Sequence, residues 1–219
     1  MSSDKIRALI SLAGNAVIVI ATAVCILRDI FRRRDGDDLP NRRKNLKTFR
    51  FFTTDSNVLA ALTALILLPF ELIRLTGGAQ APQWAILLKY AGTAAVAVTM
   101  LTVLVFLGPT QGYGRMLGGP GLWVHLICPL LAVITFLFFD GGQPICYALS
   151  LTAVLPVVIY GGVYLTEVII VKRWEDFYGF NRSGVWYVSL ALMLIGAFVV
   201  VLELRVGHEF FAHTFQNIR

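Results

Sequence analysis

The sequence predicts an all-α integral membrane bundle of six transmembrane helices in a single domain, 1–219. Three observations carry this. The 219-residue chain is 57% hydrophobic and only 15% charged, where a soluble domain has about 25% charged residues. Its mean hydropathy is +0.73. Six apolar runs are each long enough to cross a bilayer, which takes roughly 20 residues at 1.5 Å apiece. Spanning backbone must satisfy its own hydrogen bonds, and none of the runs alternates like a barrel strand.

The spans fall at about 7–27, 51–73, 84–107, 122–139, 145–171 and 185–204. In the first, Lys5 and Arg7 precede the apolar run, and Ala21-Thr22-Ala23 imitates a signal-peptidase site. The run continues through Leu27 without a polar cleavage region, so it reads as an uncleaved span. The second opens with RFFTTDSN, a polar cluster at the mouth of an apolar run. The fourth opens with LWVHLICPLL. Pro156 is positioned to kink the fifth. Between the third and fourth, LGPTQGYGRMLGGPG misses both phosphate-loop spacings and reads as a flexible connector. DGGQP is a tight turn before the fifth.

Charge placement sets the partners. Net charge is +6, but nine of the nineteen Lys and Arg fall between Arg28 and Arg50, in one hydrophilic stretch between apolar runs. That suits a membrane surface, not a nucleic acid, since no reading helix or aromatic platform goes with it. Loops 1–2, 3–4 and 5–6 hold thirteen basic residues, and the opposite side holds six. The positive-inside rule then puts those loops in the cytoplasm and both termini outside. Cys25, Cys128 and Cys146 form no Cys-x-x-Cys and read as buried apolar side chains. No metal site is expected: the two histidines of HEFFAH stand five apart and do not share a helix face. No cofactor is expected either.

Ionisable groups inside spans are costly and are functional hypotheses by default. On the basic side Thr53, His125 and Glu167 each lie about one turn inside a span, roughly 5 Å below the interface. Thr53 shares a face with Asn57, and Tyr160, Tyr164 and Glu167 share another. These residues suit acyl transfer. His125 is a base for a threonine hydroxyl, Glu167 or Asp55 an orienter, and Ser56, Asn57 or Tyr164 donors to an oxyanion. Each has a plainer role. Thr53 to Asn57 can cap a helix, His125 can bond between helices, and Glu167 can pair with Lys172 or Arg173. Glu71, Asp140 and Glu203 lie near span ends on the other side and read as carboxylates snorkelling to headgroups.

Taken in order, RFFTTDSNVLAAL, H125LICPLL, P156VVIYGGVYL and W174EDFYGF resemble the six-span bacterial membrane proteins related to the androgen-induced family of transmembrane hydrolases. The resemblance covers roughly residues 45–190. It implies hydrolysis of fatty acid esters by an intramembrane threonine and histidine, which fall on Thr53 and His125, with Thr54 left as an alternative nucleophile. The last segment keeps the aromatics of the bacterial relatives without their prolines. The resemblance also implies a membrane lipid or lipid-like substrate and a bacterial inner membrane. A small transporter or a non-enzymatic membrane protein is the alternative reading.

Overall fold

The computed structural model describes residues 2–32, 45–141 and 144–216. Among these every regular element is a helix, and six helices are long and apolar enough to cross a membrane. They are α1 (Ser3–Phe31), α2 (Phe52–Leu75), α3 (Gln83–Gln111), α4 (Pro120–Phe138), α5 (Tyr147–Ile170) and α6 (Trp186–Gln216). Much of the basic stretch after Arg32, and part of the turn before α5, lie outside the described residues.

The helices alternate in direction. The starts of α1, α3 and α5 meet the ends of α2, α4 and α6 at one end, the termini face. The other end is the basic face. At its centre is α3, most of whose apolar window is buried, against about a third or less for the others. Small residues allow this: Gly92, Ala94, Ala95 and Ala97 let neighbouring backbones approach closely. A Cβ on Gly92 would stand 2.4 Å from Thr63 Oγ1 and 3.0 Å from Ala60 Cα on α2. Polar side chains add ties. Ser56 and Thr99 hydroxyls meet at 2.8 Å between α2 and α3, and Tyr90 donates to Val201 O at 2.5 Å between α3 and α6. The outer surface is apolar: Val105 and Ile170 are each 74% exposed, as expected where lipid is the solvent.

Irregular turns stand beside proline in three of the helices. Pro129 has no N–H to give the carbonyl four residues back, and its ring crowds that carbonyl. The turn Trp123–Ile127 widens to a π-turn, closed by Cys128 N–H bonding to Trp123 O. Pro109 stands in the same relation to the π-turn Val103–Leu107. In α5 a 3₁₀ turn, Leu151–Val154, comes immediately before Leu155-Pro156.

The termini face corrects the sequence reading of Glu71 and Asp140. Neither snorkels: both are buried, as are Arg74 and Lys89. Asp140 Oδ1 accepts from Ser11 Oγ at 2.7 Å and Asn15 Nδ2 at 2.9 Å. Lys89 Nζ donates to Asn15 Oδ1 at 2.7 Å and lies 3.8 Å from Asp140 Oδ2. Arg74 reaches Asp4 at 2.7 Å, Glu71 at 3.0 Å and Phe139 O at 2.8 Å. A carboxylate buried in a bundle is tolerated when paired and hydrogen-bonded, and the helix ends here converge tightly enough to supply partners. Glu203 is exposed, and so is Cys146, against the expectation that it is buried.

Candidate functional site

The basic face is built on the start of α2. A 3₁₀ turn, Leu46–Arg50, delivers the chain to Phe51, and α2 begins at Phe52. No side chain of the TTDSN cluster caps it. The Tyr178 hydroxyl accepts the Phe52 N–H instead, at 2.9 Å. The capping reading of the polar cluster therefore fails, and within the cluster Ser56 and Asn57 are buried.

Tyr178 belongs to an aromatic lobe, residues 171–185, folded back between α5 and α6. Asp176 organises it, accepting the Tyr164 hydroxyl at 2.6 Å and the N–H groups of Phe180 and Asn181 at 2.9 and 2.8 Å. A short acidic side chain satisfying backbone N–H groups a few residues on is turn chemistry. Tyr164, Phe177, Tyr178 and Phe180 pack ring on ring. Tyr160 donates to Arg50 O at 2.6 Å, holding the 3₁₀ turn to α5. Burial pushes the Tyr178 hydroxyl up to about 12.

Thr53 lines a gap of about 30 Å³, with Thr99, Thr102, Tyr160, Tyr178 and Met193 among its walls. That is room for about one water. Phe52 and Tyr160, with ring centroids 5.0 Å apart, line this gap and also a groove of about 560 Å³ on their other side. The groove runs between α2, α3 and α5, and Asp55 and Ser56 give it a polar edge. Thr54 faces away and meets the Thr48 hydroxyl at 3.1 Å.

His125 sits in the π-turn of α4, half-buried. Its Nδ1 lies 2.6 Å from Met116 O. A carbonyl only accepts, so Nδ1 carries the hydrogen and Nε2 keeps its lone pair. Met116 ends a short helix, Tyr113–Met116, in the loop expected to be a flexible connector. The loop is instead docked, with the Tyr113 hydroxyl bonded to Leu104 O at 2.7 Å.

Asn57 joins the two candidates. Its amide donates to Thr53 O at 2.8 Å and to Val124 O, the carbonyl before His125, at 2.9 Å. Among the described residues no hydrogen bond links Thr53 Oγ1 to the imidazole directly. With its amide hydrogens used, Asn57 is a strap rather than an oxyanion donor. Tyr164 is committed to Asp176 and Glu167 to Arg173, an ion pair at the surface. The orienting contact expected from Glu167 or Asp55 is made by Met116 O. Sequence reasoning missed Met116, Asp176 and Tyr178. A backbone carbonyl has no sequence signature, but the polar residues within W174EDFYGF were a visible signal.

Among the described residues no three His, Cys, Asp or Glu side chains gather as metal ligands. No known protein family, curated protein or solved structure matches the chain.

Proposed function

We propose that this polytopic membrane protein is a lipid-ester hydrolase of the leaflet at its basic face, with Thr53 as nucleophile and His125 as general base. The observation that carries the reading is the Asn57 strap, which binds the turn bearing the hydroxyl to the turn bearing the imidazole. The hydrogen bond from Nδ1 to Met116 O leaves Nε2 as the proton acceptor, the division of labour a base needs. Thr53 Oγ attacks the acyl carbonyl and its proton passes to Nε2. The imidazolium returns that proton to the departing alcohol, and water then cleaves the acyl-threonine with the same base. The N–H groups of Phe52, Thr54 and Asp55 are engaged. That leaves the Thr53 N–H, at the positive end of α2, as the first-turn donor for an oxyanion. A substrate in the groove reaches Thr53 by displacing Phe52 or Tyr160 from their shared wall.

A fluorophosphonate probe tests the assignment. Labelling of the purified protein is expected to fall at least ~100-fold in Thr53→Ala and His125→Ala, the cost of removing a nucleophile or its base, and to persist in Thr54→Ala. Labelling that survives in both of the first two variants overturns it. In this reading the basic face is cytoplasmic. Arg74, Lys89 and Arg205 are drawn into the bundle, which leaves the termini face fewer free cations and sharpens the bias.

One observation favours transport instead. Buried polar side chains run along α2 and α3 from Glu71 and Lys89 through Thr63 and Thr93 to Thr99 and Ser56. Solute uptake into proteoliposomes that is lost in a folded Lys89→Met variant would establish that reading.

A further inference from the structure

Beside the groove, on its membrane-surface side, lies a polar recess of about 810 Å³. Arg32, Lys47, Arg50 and Arg173 line it, against Asp29 and Glu175. Arg173 is engaged by Glu167, which leaves Arg32, Lys47 and Arg50 as the cations of the recess without a carboxylate bond among the described residues. Recess and groove share a wall: the Arg50 guanidinium sits 5.7 Å over the ring of Trp174, which lines the groove. Phe51 and Phe177 border the recess with ring centroids 4.6 Å apart. Cations, then an aromatic collar, then an apolar slot is the order of a leaflet itself: phosphate, interface, acyl chain.

The slot has the right depth. Along α5 it extends from Thr152 to Val163, roughly 16 Å at 1.5 Å per residue. That is about half of a 30 Å hydrocarbon core, the reach of one acyl chain in one leaflet. Its walls are mostly aliphatic, with Leu59, Leu88, Ile159 and Val163 among them.

We propose that the recess and groove together form a binding site for one anionic phospholipid, its phosphate held by Arg32, Lys47 and Arg50 and one acyl chain laid along α5. The site shares its groove with the route proposed for the substrate, but it does not depend on the catalytic assignment. Thr53 lines the gap on the far side of Phe52 and Tyr160, so lipid occupancy and probe labelling are measured separately and each can fail alone.

Trp174 is the reporter. In a Trp84→Phe, Trp123→Phe, Trp186→Phe background, the full chain is placed in phosphatidylcholine bilayers containing a small fraction of brominated-acyl phosphatidylglycerol, brominated-acyl phosphatidylcholine or brominated oleate. Phosphatidylglycerol is expected to quench Trp174 at a lower mole fraction than either of the others. Lys47→Gln and Arg50→Gln are each expected to raise the required fraction about fivefold, and Arg115→Gln, a cation of the same face outside the recess, to leave it unchanged. Equal quenching by phosphatidylglycerol and phosphatidylcholine in the otherwise unaltered protein overturns the proposal, whatever the variants do. So does stronger quenching by oleate, which assigns the recess to a carboxylate. A loss in Arg115→Gln equal to that in Lys47→Gln also overturns it, because general surface attraction then suffices.

Discussion

Tyr178 begins α2 from outside it. Its hydroxyl accepts the Phe52 N–H, so Tyr178→Phe removes a helix-start acceptor and is expected to cost about 1 kcal/mol, the usual worth of a cap. Its titration gives a second readout. Burial holds the folded-state value at about 12, above the ordinary tyrosine value near 10. The fold therefore favours the neutral hydroxyl. The unfolded chain ionises first, so the stabilisation is intact below about pH 10 and is lost as pH rises toward about 12. Thermal unfolding in detergent should show this alkaline decline steeper in the parent protein than in Tyr178→Phe. At this scale the sequence revealed the candidates and hid their partners. Thr53 and His125 are visible as polar residues one turn inside spans. Met116 O, which holds the imidazole, is invisible because any residue can supply a carbonyl. Glu71 and Asp140 stood close enough to span ends to pass for interfacial charges, and only packing shows them buried.

Among the elements, the close approach of α2 and α3 rests on one missing methyl group. Gly92→Ala puts a Cβ against Thr63 Oγ1 and the α2 backbone, and overpacking of that kind costs about 1–3 kcal/mol. Gly196→Ala, on α6 where nothing lies within 4 Å, is expected to be neutral or slightly stabilising, up to about 1 kcal/mol from lost backbone freedom. Thermal midpoints of the two variants make the comparison, and equal destabilisation would refute the packing account. The π-turn offers a second test. Pro129→Ala restores an N–H, lets the turn close as an α-helix and rotates Trp123–Ile127. The imidazole signal of a Met116-bonded His125 in nitrogen NMR should then be lost. The six helices were legible because length and hydropathy alone demand them. Their ends were not: α1 begins at Ser3, not near 7, and α6 continues to Gln216, past 204. A helix leaving the hydrocarbon continues with polar residues that no apolar window registers.

For the molecule as a whole, the buried charges are coupled. Lys89→Met leaves Asp140 without its cation, an expected loss of about 3–5 kcal/mol. Lys89→Met combined with Asp140→Leu should cost less than the two single changes added together, and a purely additive result would show that the pair does not interact. The proposed orientation, with the termini face outside, has a native reporter. Cys25 and Cys128 are buried while Cys146 is exposed at the termini face, so an impermeant maleimide applied to intact cells should modify the protein, and the Cys146→Ser variant should resist it.

The Lys89 contacts also bear on how the chain enters the bilayer. An ammonium group is costly inside an inserting helix, up to about 3 kcal/mol at its centre, and this one finds its acceptor, Asn15, on α1 and its counter-charge, Asp140, just past α4. The third helix is therefore a poor passenger by itself. It settles only when the first is already waiting and the fourth has followed, so the leading four segments mature as one cohort. A cysteine introduced beside Lys89 should react with a soluble maleimide in a chain truncated before residue 140 and be protected in one extended past it.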